Sequence, residues 1–130
     1  MARVLALVPD LLFGSQMQGS LSAGGHDVEL IADEDRLRVR LAEGAGARAA
    51  VLVVDLTDRS LDGAGMLESL RRAGALGSLR TLAFYSHVES AVRERAQEAG
   101  FDLVVPRSRM AREGAQLVSG LAGDSSPTRR

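Results

Sequence analysis

Ala49-Ala50-Val51-Leu52-Val53-Val54-Asp55 is the stretch whose reading decides the fold. It is apolar without alternation and stops at a carboxylate, as expected of a strand buried on both faces. Arg3–Val8 is a second run of the same kind, stopped by Pro9. Asp27–Ile31, Thr81–Tyr85 and Phe101–Val105 read as three more strands. Helical segments fall between them. Leu11 to Ala23 puts Leu11, Leu12, Met17, Leu21 and Ala23 roughly on one face, although Gly14 and Gly19 weaken it by about 1 kcal/mol each. Asp33-Glu34-Asp35 places acids where a helix dipole favours them, and Arg36, Leu37, Val39 and Leu41 continue that helix. Glu43–Arg48 reads as a Gly/Ala loop. Asp62-Gly63 marks a turn into a helix through Met66, Leu67 and Leu70 to Arg72, closed by Gly74 and Gly77. Ser86-His87-Val88-Glu89 has capping-box spacing and predicts a helix through Val92 and Ala96 to Gly100. Arg109 to Leu121 is the last helix.

Five short apolar strands alternating with five helical segments imply right-handed crossovers and a parallel sheet. The expected architecture is α/β: a doubly wound three-layer sandwich, flavodoxin-like, with a five-stranded parallel sheet in order 2-1-3-4-5. Ligands on such sheets lie at the carboxyl ends of the strands, near the switch point between strands one and three. Attention therefore falls on Pro9-Asp10, Asp55, Tyr85-Ser86 and Pro106-Arg107. One domain is expected over residues 1–122. Residues 123–130, polar, with Pro127 and ending in Arg129-Arg130, read as a flexible C-terminal tail.

Composition narrows the function classes. The chain has 130 residues, 45% hydrophobic and 25% charged, which is ordinary for a globular domain. With no cysteine, disulfides, thiol catalysis and Cys-ligated metals are excluded. A net charge of −1 argues against bulk electrostatic binding of nucleic acid. No apolar run is long enough to span a bilayer, and the N-terminus lacks signal-peptide features, so the expected setting is cytoplasmic without membrane contact. All 16 basic residues are Arg, so chemistry that needs a lysine ammonium has no source here.

The strand ends resemble the phosphate pocket of bacterial response-regulator receiver domains, over essentially residues 3–122. In that family two acids follow strand one, and a phosphoacceptor Asp ends strand three. An Asp-Gly turn lies eight residues on, a Thr or Ser ends strand four, and a Lys followed by Pro ends strand five. Here Asp55 takes the phosphoacceptor position, and Gly63 lies eight residues later. Counting on without gaps puts the hydroxyl position at Tyr85 and the lysine position at Arg107. Ala99-Gly100-Phe101-Asp102 is similar to the family's Ala-Gly-Ala-Asp before strand five.

The departures carry as much information. The acid pair is Pro9-Asp10, one carboxylate short, which should weaken a Mg2+ site built on Asp10 and Asp55. Asp58-Arg59 replaces the usual Met-Pro, and Asp58 is an added carboxylate that would partly compensate. Tyr85 brings a phenol in place of a small hydroxyl, with Ser86 adjacent as a substitute. Arg107 keeps the charge but not the compact ammonium, and Ser108 follows it where proline is usual. Phosphoryl transfer to an aspartate rests on positioning and charge neutralisation, so these changes should harm phosphorylation more than folding.

The resemblance therefore implies an atypical or pseudo-receiver: a stand-alone signal-transduction module acting through protein–protein contact, without efficient aspartyl phosphorylation. No catalytic residue and no enzyme activity are expected, and no cofactor beyond weak Mg2+ at Asp10 and Asp55. The pocket set is Asp10, Asp58, Tyr85, Ser86 and Arg107 around Asp55. Expected partners are another protein or a histidine kinase, with a homodimer through a face of residues about 88–98 and 103–121. Because the chain ends soon after the last helix, output is expected through another protein.

Two alternatives stay open: a genuine single-domain response regulator of a two-component system, phosphorylated on Asp55, and a flavodoxin-like domain binding a small molecule. A third, a subunit of a larger assembly, has no motif of its own. Plainer roles stand beside the functional ones: Asp10 as a helix cap, Ser86 as a cap, Arg107 in a structural ion pair, Tyr85 as a plug or an exposed contact. His26 and His87 are expected to face solvent, without a metal. Gly44–Ala49 matches a relaxed dinucleotide fingerprint but precedes a strand instead of following one, so nucleotide binding is rejected there. The helical arginines, mixed with Glu, read as a solvated face.

Overall fold

The computed structural model describes residues 2–58, 60–86 and 90–123. Five strands run parallel: β1 (Arg3–Leu7), β2 (Asp27–Ile31), β3 (Val51–Asp55), β4 (Arg80–Tyr85) and β5 (Leu103–Pro106). Between and after them come α1 (Leu11–Ala23), α2 (Glu34–Ala42), α3 (Ala45–Arg48), α4 (Gly63–Arg72), α5 (Ser90–Ala99) and α6 (Arg107–Leu121). The sheet order is β2-β1-β3-β4-β5, the expected doubly wound arrangement. In register, Val4 pairs Val51 and Asp55 pairs Phe84.

Alternation along each strand builds two cores. Val51 and Val53 join Val4, Ala6, Leu82 and Phe84 on the face covered by Phe13, Met17 and Leu21 of α1 and Met110 and Val118 of α6. Leu52 and Val54 join Leu5, Leu7 and Ala83 on the opposite face, under Leu37 of α2, Met66, Leu67 and Leu70 of α4, and Ala96 and Ala99 of α5. Every residue of β3 is buried, which is why that strand reads as an unbroken apolar run. β2 lies at an edge; its Glu29 accepts from Arg3 and Arg40, and Asp27 also pairs with Arg3, so charge discourages strand addition there.

Several boundaries differ from those the sequence predicts. Glu43–Arg48 is not all loop, since Ala45–Arg48 forms the one-turn helix α3. Gly44, at φ 92°, breaks it from α2, and Ala45 is buried beneath the sheet. Each of β1, β3, β4 and β5 begins or ends one or two residues from expectation. α6 begins at Arg107, two residues early, because Pro106 ends β5 at φ −64° and serves as the residue preceding the helix. The Ser86–Glu89 capping box cannot be placed, as residues 87–89 and with them His87 lie outside the described residues. The 123–130 tail is described only at Gly123.

His26 is a correction. It is 4% exposed, not solvent-facing. Its Nδ1 accepts from the Ala2 N–H, and its Nε2 lies 3.0 Å from both Ala115 O and Ser119 Oγ. Because Nδ1 is an acceptor, the proton sits on Nε2 and points at α6. The side chain ties the start of β1 to the last helix, an arrangement invisible to local sequence because its partners lie 24 and about 90 residues away.

Among the described residues no helix is long and apolar enough to cross a membrane.

Candidate functional site

The carboxyl ends of β1, β3, β4 and β5 converge on a cleft of about 830 Å3. Pro9, Asp10, Phe13, Asp55, Thr57, Asp58, Ser86, Arg107, Ser108 and Ala111 line it. Of the sequence-predicted residues, Asp10, Asp55, Asp58, Ser86 and Arg107 are brought together and Tyr85 is not. Strand alternation explains the exception. Leu82 and Phe84 face α1 and α6, as do Val51 and Val53, so Ser86 returns to that side and Tyr85 turns away, 8% exposed. Tyr85 is therefore neither an exposed contact nor a plug of this cleft.

Asp55 is 1% exposed at the end of the central strand. Its Oδ1 accepts from the backbone N–H of Thr57 at 2.7 Å and from the Thr57 hydroxyl at 2.6 Å. Burial pushes its carboxyl above the usual carboxylate range; the Thr57 bonds and the Arg107 charge work against that rise, and Asp58 adds to it. Asp58 repeats the same turn one step on, its Oδ1 accepting from Ser60 N at 2.8 Å and Ser60 Oγ at 2.6 Å. Those Ser60 bonds hold the Asp58 carboxyl below its ordinary value. Thr57 was missed by sequence reasoning, although Asp-x-Thr followed by Asp-x-Ser is a legible sign of successive side-chain-capped turns.

Asp10 has two commitments. It is the N-cap of α1, its Oδ1 accepting from Phe13 N at 3.0 Å, and its Oδ2 lies 3.3 Å from Arg107 Nη2. The cap bond to Phe13, then Arg107, hold its carboxyl below the usual range. Arg107 also lies over the Phe13 ring, its Cζ 4.2 Å from the centroid, and Phe13 packs against Phe84 with ring centroids 5.0 Å apart. Gly63, eight residues beyond Asp55, starts α4 where a Cβ would come within 2.5 Å of Leu56 and 3.0 Å of Val54. Gly63 thus leaves room for the Leu56 and Val54 side chains to pack against the start of α4.

The donor set around Asp10 and Asp55 does not fit a Mg2+ ion. Pro9 stands where a second strand-one carboxylate would be required, and Asp10, Asp55 and Asp58 are each turned to a local donor. Among the described residues no three His, Cys, Asp or Glu side chains converge as a metal cluster.

Comparison with solved structures decides the fold type. A Francisella response-regulator receiver domain superposes with a TM-score of 0.78 at 17% identity, covering 97% of this chain and 100% of that one. The chain has the receiver fold. The signal receiver domain of the response regulator NarL from Mycobacterium tuberculosis matches at TM-score 0.76 and 22% identity, over 93% of this chain and 95% of that one. A response-regulator receiver domain from Clostridium thermocellum matches at TM-score 0.79 and 14% identity, over 95% and 96%. No family model matches the sequence, and no curated protein matches it.

Proposed function

We propose that this chain is a receiver-like signalling module that works through protein–protein contact, with Asp55 no longer an efficient phosphoacceptor. The observation that carries the reading is the state of the carboxylates at the strand ends. Asp55 is buried with one oxygen accepting two hydrogen bonds from Thr57, and Asp10 is spent on the α1 cap and on Arg107. An in-line attack on a phosphoryl donor asks for an accessible, ionised oxygen and a concentration of positive charge beside it. Burial here disfavours ionisation of Asp55, and the Arg107 guanidinium is drawn to Asp10 and Phe13 instead of resting on Asp55.

Contact with a partner then has to use surface that the fold presents without a chemical trigger. The module is tested by amide NMR of the uniformly labelled chain before and after acetyl phosphate with Mg2+. The reading expects no concerted movement of the amides of α5, β5 and α6. A single set of shifts spreading from Asp55 into those elements would instead make this a phosphorylation switch. A second reading, small-molecule binding, is favoured by one observation: the cleft's volume of about 830 Å3 lies within the range of ligand pockets. A ligand that raises the melting temperature, with phosphodonors lacking effect, would support it.

A further inference from the structure

Among the described residues, α1 is the one helix that carries no charge: Leu11–Ala23 reads Leu-Leu-Phe-Gly-Ser-Gln-Met-Gln-Gly-Ser-Leu-Ser-Ala. Phe13, Gly14, Met17 and Leu21 are its buried face. The opposite face of a helix that ends in water is ordinarily charged. Here it presents Leu11 at 77% and Leu12 at 70% exposure, the two most exposed large apolar side chains of the described residues. Ser15, Gly19 and Ser22, all exposed, continue from Leu12 at spacings of three, four and three along the outer side. Bulk therefore gathers at the N-terminal end of this line and is missing at the C-terminal end. A Cβ added to Gly19 would meet nothing within 4 Å, so a gap lies open two turns, about 10 Å, beyond Leu12.

We propose that the outer face of α1 is covered by the same face of a second copy of this chain, the two helices running antiparallel about a two-fold axis. The face is complementary to itself in that arrangement and in no parallel one. Antiparallel pairing sets Leu12 of each copy into the gap over Gly19 of the other, whereas parallel pairing stacks leucine on leucine and gap on gap. Neither face brings a charge to repel its twin, and the opposed helix dipoles attract. The proposal rests on the protein–protein contact reading for the mode of action and deepens it by naming the partner and the face, which is not the 88–98 and 103–121 face expected from the sequence. One helix face covers less than the ~800 Å2 per partner of a standard interface, so the dimer belongs to the weak, reversible class.

Sedimentation velocity of the full chain from about 10 µM to about 1 mM tests this, a span that covers weak complexes. The wild type is expected to shift from monomer towards dimer as concentration rises. Leu12→Glu, at an exposed position in the first turn where an acid suits the helix dipole, is expected to stay monomeric throughout and to melt as wild type does when dilute. The chain has no cysteine, so single-cysteine variants report the pairing cleanly. Leu12→Cys mixed with Gly19→Cys is expected to form a disulfide-linked dimer under oxidation several times faster than either variant alone. A wild type that remains monomeric over the whole range would overturn the proposal and leave α1 to a different protein or to none. A dimer that persists in Leu12→Glu would overturn it by placing the contact on another face. Mixed cysteine variants that link no faster than each alone would overturn the antiparallel pairing. None of these failures is a failure of the signalling reading, which falls on a phosphodonor response and not on oligomeric state.

Discussion

At the scale of single residues, the account turns on what Asp55 touches. A buried carboxyl raised above the usual range holds its proton more tightly in the folded chain than in the unfolded one. Its contribution to stability is then complete below the unfolded carboxylate value and is lost as pH rises through the folded value. Asp55→Asn keeps the oxygen that accepts both Thr57 bonds and has no charge to bury. It is expected to melt higher than wild type at mildly alkaline pH, with the gap closing as pH falls below the carboxylate range. Melts across that pH range check the sign, and a variant less stable than wild type at alkaline pH would contradict it. Asp10 behaves oppositely: its carboxyl is held low by the Phe13 cap bond and by Arg107, so its contribution is present above the unfolded value and lost on acidification. That Asp55 and Arg107 lie at strand ends was legible from the apolar runs before them, and the resemblance gave them their places in the pocket. Tyr85 and Thr57 were not, because a gap-free count fixes position along the chain but not the face of the strand on which a side chain lands.

At the scale of elements, packing explains both what sequence shows and what it hides. The bounds of α1 and β2 agree with the structure because caps and an edge pattern announce them: Asp10 before Leu11, Gly24-Gly25 after Ala23. α3 escapes because a single turn of Ala45-Gly46-Ala47-Arg48 has no period to read. It is stabilised by burial of Ala45 and by Gly46, whose missing side chain lets Leu41 approach to 3.2 Å from where a Cβ would stand. Gly63 is the sharper test of packing. Gly63→Ala is expected to cost about 1–3 kcal/mol, because Leu56 and Val54 must move to admit a methyl group. A urea midpoint equal to wild type would mean that the β3–α4 connection is slack. His26→Ala removes an acceptor from Ala2 N–H and a donor from Ala115 O inside the α1–α6 layer. Its expected cost is about 2 kcal/mol by the same measurement.

Across the whole molecule, strand order was the most legible property. Five buried apolar runs joined by helices leave few unknotted, right-handed arrangements, and the doubly wound order expected for a chain of this size is the one that the structure has. Function was less legible, because it depends on whether carboxylates brought to one cleft are free to act or already engaged. Asp10, Asp55 and Asp58 are all present where chemistry would want them, and each is held by a cap, a turn or an ion pair. The measurement that tests this most directly is the intact mass of the purified chain after incubation with acetyl phosphate and Mg2+, beside Asp55→Ala. The account predicts no phosphoryl adduct on either protein. An added phosphoryl group on the wild type that is absent from Asp55→Ala would contradict it and make Asp55 a working phosphoacceptor.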